Sequence, residues 1–268
     1  MEIRNDGFET FFGAAYYGFE YSSAQKILRI MANAHLPSDV IFYKSKNGMS
    51  PKKIRKEAFF GPEILSESGN QISIIFESKK ITNKIPWVYG IIFSNDSHVV
   101  FFHIAFSCSS VDQTIKELFG EVEAVILNNG IKYGYYFSDA DTNDPFYFPA
   151  GIASSYGTKR DPSGLPLMYW SNGIALPNGR KPYDIGIIRD IFKVNIITSV
   201  HLNSIINGIA LHELITKDER FGTLEFCGID TWKWIVNSDN LKFVRASLTG
   251  CYLLSLKYCV DNRESQKL

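Results

Sequence analysis

The chain has 268 residues, 45% of them hydrophobic and 14% aromatic, which excludes disorder as its main state and supplies ample apolar material for one large core or two small ones. Lys+Arg and Asp+Glu balance at 28 each, so net charge points neither to nucleic acid nor to an anionic membrane as partner. Four cysteines without a CxxC pair (Cys108, Cys227, Cys251, Cys259) make neither a disulfide framework nor a structural zinc site.

Phe8 to Phe19 is an aromatic run that reads as a strand. Ser22 with Gln25 three residues on has the form of a capping box, and Ala24, Ile27, Leu28, Met31 and His35 follow at helical spacing until Pro37. Val40–Tyr43 resumes as a strand, and Lys52 to Leu65 reads as a weaker basic helix. Strands are expected at Ile72–Glu77, Trp87–Phe93 and Val99–Phe106, the last two joined by a short polar turn at Asn95-Asp96-Ser97. Ser110 opens the clearest helix, whose stripe is Val111, Ile115, Leu118, Phe119, Val122 and Ile126, and Tyr133–Phe137 closes the first half as a strand.

Periodicity then disappears. Six of the ten prolines and five glycines fall between Pro145 and Pro182, together with Tyr156, Tyr169 and Trp170. Long connections of this kind in compact domains are binding loops or linkers, and a solvated linker does not need aromatics. Beyond it, Ile185–Thr198 reads as extended with helix available at Ile187–Phe192, and His201 to Ile215 as helical pieces divided at Gly208. A hairpin follows, Gly222–Phe226 with Thr231–Val236; Asp239 caps a helix carrying Leu241, Val244 and Leu248, and Cys251–Leu256 is a final strand. The expected fold is therefore α+β: a mixed half over 1–144, a long connecting loop over 145–182, and a ferredoxin-like βαββαβ half over 183–268.

No catalytic or cofactor signature stands in either half. GxSxG, GxxxxGK[ST] and GxGxxG are absent, and His212-Glu213 lacks the second histidine of HExxH because position 216 is Thr. His103 alternates with apolar neighbours on one strand face and reads as a core histidine. Asp139, Asp141, Asn143 and Asp144 open like a calcium loop, but its sixth and twelfth positions are Asp144 and Ala150, where Gly and Glu are required. That acidic cluster is either a solvated turn or a docking point for a basic partner. Lys52-Lys53-Ile54-Arg55-Lys56 is a basic helix face without the stacking aromatics of a nucleic-acid platform. Trp232 and Trp234 project from one strand face, as core if a helix covers that face and as interface anchors if it does not.

The stretch from Ile188-Arg189-Asp190 through His201-Leu202, Gly208 before Leu211 and Gly222-Thr223-Leu224-Glu225 to Trp232-Lys233-Trp234 resembles the C-terminal portion of small bacterial immunity-like proteins found beside toxin or type VI effector genes. Met1–Asp6 lacks the basic region and apolar core of a signal peptide, and the longest apolar run, near Val99–Phe106, is too short to span a bilayer, so a soluble cytoplasmic protein is expected. The resemblance, which covers about the last third of the chain, implies a cognate toxin or effector as partner. The balanced charge departs from the acidic character of immunity proteins that plug nuclease sites. The expected partner-binding residues are Asp139, Asp141, Asp144, Tyr156, Tyr169, Trp170, Trp232 and Trp234, with no catalytic residue, no metal, no cofactor, no nucleic acid and no membrane insertion. An enzyme with a cleft between the halves, lined by Arg189, Asp190 and His201, is the competing expectation. A phage-defence or structural component is a third.

Overall fold

A computed structural model describes residues 11–34, 40–46, 52–59, 70–82, 85–96, 99–107, 113–138 and 181–248. In chain order these give β1 (Phe11–Phe19), α1 (Tyr21–Asn33), β2 (Val40–Lys46), β3 (Lys52–Ile54), α2 (Lys56–Phe59), β4 (Asn70–Thr82), β5 (Ile85–Asp96), β6 (Val99–Ser107), α3 (Gln113–Asn128) and β7 (Tyr133–Ser138). The C-terminal part continues with a 3-10 turn at Pro182–Ile185, β8 (Val194–Ile197), α4 (Ser199–Leu202), β9 (Ile205–Ile206), β10 (Ile209–Ala210) and α5 (Leu211–Lys217). A 3-10 turn at Glu219–Phe221, β11 (Thr223–Gly228), β12 (Thr231–Ile235), another at Ser238–Asn240 and α6 (Leu241–Leu248) complete it.

The class is α+β, and both parts of the chain contribute to one sheet. Its order is β11-β12-β8-β7-β1-β6-β5-β4-β2-β3, antiparallel at every junction. The junction between the parts is β7 against β8, in register Gly134↔Ile196, Tyr135↔Asn195 and Tyr136↔Val194. That pairing corrects the ferredoxin-like expectation for 183–268. A split βαβ sets its first strand between the fourth and a parallel third, whereas β8 has β7 on one edge and an antiparallel β12 on the other. The edge a final strand would need is already taken.

Alternation along the central strands sorts side chains onto two cores. On one face Ala14 and Tyr16 of β1 and Ile196 of β8 are covered by α1 and α3, through Ala24, Ile27, Leu28, Met31, Leu118, Val122 and Ile126. On the other, Ala15, Tyr17, Tyr133, Tyr135 and Phe137 lie under Tyr183, Ile188, Ile191, Phe192, Leu202, Leu211, Trp234, Val244 and Leu248. Strands buried on both faces read as continuous apolar runs, which is why β1 is Phe-Phe-Gly-Ala-Ala-Tyr-Tyr. Gly13 is small for a steric reason: a Cβ there would lie 2.2 Å from the Phe137 ring. Both cores therefore take side chains from 1–144 and 183–268 together.

Several elements differ from expectation. The box at Ser22 does not form, because α1 already begins at Tyr21 and Glu20 is its N-cap, without a side-chain bond. The basic helix at 52–65 is, over its described residues, a short strand and one helical turn; pairing of Phe42, Tyr43 and Lys44 with Ile54, Lys53 and Lys52 outcompetes a weak helical pattern. Between His201 and Ile215 the division at Gly208 is a hairpin, with Asn207 and Gly208 at φ +50° and +86°, the Asn-Gly turn chemistry of tight hairpins. Asn237, not Asp239, caps the last helical segment, accepting from the Asp239 amide at 3.1 Å. His35 and the strand at Cys251–Leu256 lie outside the described residues.

Candidate functional site

Two groups of residues compete for the role of site: a buried polar network where β7 meets the C-terminal part, and an exposed apolar end of the sheet at β11 and β12.

The buried network holds the residues expected to line a cleft. Arg189, Asp190 and His201 are 1%, 0% and 0% exposed. The Arg189 amide donates to Tyr133 Oη at 3.1 Å and its Nη1 to Tyr135 Oη at 2.5 Å, while Tyr135 and Tyr17 hydroxyls meet at 3.1 Å. Asp190 Oδ1 accepts from Arg245 Nε at 2.6 Å and from the Ile191 amide at 2.7 Å, and Arg245 Nη2 also donates to the Ile191 carbonyl at 2.8 Å. Burial dominates the titration here: it pushes the Tyr133 and Tyr135 phenols well up, against the opposing pull of the Arg189 charge.

His201 stacks on Tyr133 with ring centroids 5.7 Å apart, and its Nδ1 accepts from the Thr198 amide at 3.2 Å. An accepting Nδ1 assigns the proton to Nε2, which has no hydrogen-bond partner among the described residues. Burial holds the imidazole down at about 4, overriding the Asp230 and Asp184 carboxylates that favour the charged form. The side chain is therefore neutral at physiological pH.

The exposed group is built on the β11–β12 hairpin, which turns through a bulge between Phe226 and Gly228. Phe226 is 66% exposed and its ring centroid lies 5.3 Å from that of Trp232, which is half-buried against the second core. Ile229 at the turn is 64% exposed with φ +44°. Asp230 beside it accepts from the Ser199 amide at 3.1 Å and hydroxyl at 2.8 Å, which brings Val200, 45% exposed, to the same end. Gly222 fixes the entry to β11: it has φ +90°, and a Cβ there would lie 1.9 Å from the Ile235 carbonyl oxygen.

Of the expected partner-binding residues, Trp232 belongs to this exposed group. Trp234 does not: it is fully buried and its Nε1 donates to the Phe221 carbonyl at 2.6 Å, so it is a core residue. Trp232 and Trp234 do share a face, while Lys233 points to the other. Asp139, Asp141, Asp144, Tyr156, Tyr169 and Trp170 lie outside the described residues. The residues that carried the immunity-like resemblance converge on the second core: Arg189, Asp190, His201, Leu202 and Leu211 are buried and Leu224 packs against them. Phe226, Ile229 and Val200 were not singled out from sequence, because a Phe in an alternating strand looks the same at an edge as in a centre.

Among the described residues no group of three or more His, Cys, Asp or Glu side chains is placed to hold a metal, and no helix is long and apolar enough to cross a membrane. No family model matches the sequence, nor does any curated protein. A solved structure that is similar to part of the chain is a chain from the complex of the toxic C-terminal tip of CdiA from Pseudomonas aeruginosa with an immune protein; it is 12% identical, covers 48% of this chain and 86% of that one, and has a TM-score of 0.30.

Proposed function

We infer that this protein is an immunity-type binding protein, which neutralises a cognate bacterial toxin or effector by covering it directly. The observation that carries the reading is the exposed apolar end of the sheet, where Phe226 lies open to solvent against the half-buried Trp232. Ile229 is exposed at the hairpin turn, and Val200 is exposed beside the Ser199–Asp230 contact. Large apolar side chains grouped at a surface mark interaction sites, and aromatic anchors beside partly buried neighbours are the usual source of binding energy. Steric occlusion needs such a surface and no perturbed catalytic group. In this reading Arg189, Asp190 and His201 hold the C-terminal part onto β7 and take no part in chemistry.

The test is co-expression with the protein encoded by the neighbouring gene, followed by calorimetric titration of the purified pair. Phe226→Ala with Ile229→Ala is expected to weaken binding by about a hundredfold, some 2.7 kcal/mol, with Tm unchanged. Undiminished affinity in that variant, or an enzymatic activity abolished by His201→Asn in a folded protein, contradicts the reading.

A further inference from the structure

Resting on the binding-protein reading, we propose that the outer edge of β11 takes up an extended, basic segment of the partner as an added strand. β11 is the outermost described strand, and among the described residues it pairs only with β12. The direction of its free groups follows from register. The Val236 amide donates to the Lys193 carbonyl at 2.9 Å, continuing the β12–β8 ladder in which Ile235 stands opposite Val194. Backbone groups alternate along a strand, so Trp232 and Trp234 bond toward β8, while Thr231, Lys233 and Ile235 bond toward β11. Their partners Thr223 and Glu225 therefore face inward, and the amide and carbonyl of Leu224 and the amide of Phe226, which precedes the bulge, face out. An edge of this kind is a template for another strand.

The side-chain surroundings fit the same occupant. Leu224 and Phe226 lie on the face of the second core, and beside Leu224 a groove of 630 Å³ runs between β11 and the end of α5, lined by Ile215, Thr216, Lys217, Glu219 and Thr223. An added strand would set alternate apolar side chains into this groove and beside Phe226. The ionic surroundings choose the charge. Lys217 is paired with Glu213 and Arg220 with Asp218, while exposed Glu225, on the strand face away from Leu224 and Phe226, has no ion pair among the described residues. The intervening positions of the segment are therefore Lys or Arg. A second copy of this chain does not suit the edge. Two β11 strands paired antiparallel through both Leu224 and Phe226 place Glu225 directly against Glu225, about 5 Å apart, a destabilising like-charge pair.

The opposing account is that Glu225 and the bulge after Phe226 are guards that stop pairing, as on many natural edges. A capped Lys-Val-Lys-Val-Lys-Val-Lys peptide, added to the full-length protein at low ionic strength, separates the two. Val opposite Leu224 and Phe226 turns its amide toward β11, and Lys turns its amide away. N-methylation at the Val positions is expected to abolish binding, whereas N-methylation at Lys leaves it intact, and Glu225→Lys is expected to weaken it about tenfold. The Leu224 and Phe226 amide resonances should shift on titration. Equal binding by both N-methylated peptides means side-chain adhesion without strand addition, and unmoved resonances at about millimolar peptide mean an edge guard only; either overturns the proposal. The cognate partner separates this from the broader reading: if it binds through Phe226 and Ile229 without protecting the two amides, strand addition alone fails. If it does not bind this end at all, the functional reading fails as well.

Discussion

Lys233 on β12 meets Glu123 on α3, Nζ to Oε2 at 3.2 Å, with the two side chains 21% and 14% exposed. Glu123 Oε1 also accepts from the hydroxyls of Tyr16, at 2.9 Å, and Tyr136, and the Lys233 ammonium lies 5.5 Å from the Tyr136 ring centroid. One carboxylate thus joins β1, β7, α3 and β12, elements from both sides of the long central connection. Glu123→Ala leaves the partly buried Lys233 ammonium and Tyr136 hydroxyl and the fully buried Tyr16 hydroxyl without their acceptor, and is expected to cost about 2–3 kcal/mol in urea unfolding. Adding Lys233→Met should restore part of that loss. Far-UV and tryptophan signals should unfold in one coincident transition; two separate transitions would mean that the parts are independent domains.

His201 makes stability depend on pH. Its folded value of about 4 lies below the ordinary 6.5, so between these values the unfolded chain binds a proton that the folded chain excludes. The sign follows: this contribution is fully present above pH 6.5 and is lost as pH falls toward 4, by roughly 3 kcal/mol. His201→Asn keeps an acceptor near Thr198 without titrating, so it should be less stable at pH 7 yet flatter across that window. An equal slope in both proteins would assign the acid sensitivity to other groups.

The two tryptophans of β12 should separate in stability and binding. Trp234→Ala opens the core and orphans the Phe221 carbonyl, at a cost of about 3–5 kcal/mol. Phe226→Ala, at an exposed site, should change stability by no more than about 0.5 kcal/mol. Chemical denaturation of the two variants decides this; a large loss for Phe226→Ala would make it core and remove it from the proposed binding surface.

Much of the fold was legible in the sequence, where local pattern and tertiary role coincide. The stripe Ala24, Ile27, Leu28 and Met31 is buried as its spacing required, as are Leu118, Val122 and Ile126, and the β11–β12 hairpin follows from two apolar runs around Gly228-Ile229-Asp230. What failed was long-range pairing. Nothing local in Val194–Ile197 says that it joins β7, and without that contact the C-terminal strands look like a separate ferredoxin-like unit. The small hairpin at Asn207-Gly208 was readable, since Asn-Gly between isoleucines is a strong turn signal, but the surrounding helical spacing obscured it. The site was least legible. Trp234 and Trp232 are equivalent in pattern, and only the covering of that face by Phe221, Val244 and Leu248 makes one of them core. Phe226 gains its meaning from lying at the outermost described strand, a property of sheet order alone.

The most direct measurement is hydrogen exchange on the full-length protein, alone and saturated with the product of the neighbouring gene. The account predicts slowed exchange over Thr223–Ile235, strongest at the outward amides of Leu224 and Phe226, with little change in the buried Tyr133–Phe137 strand. Protection confined to residues 11–107, or no complex at all with that partner, would contradict it.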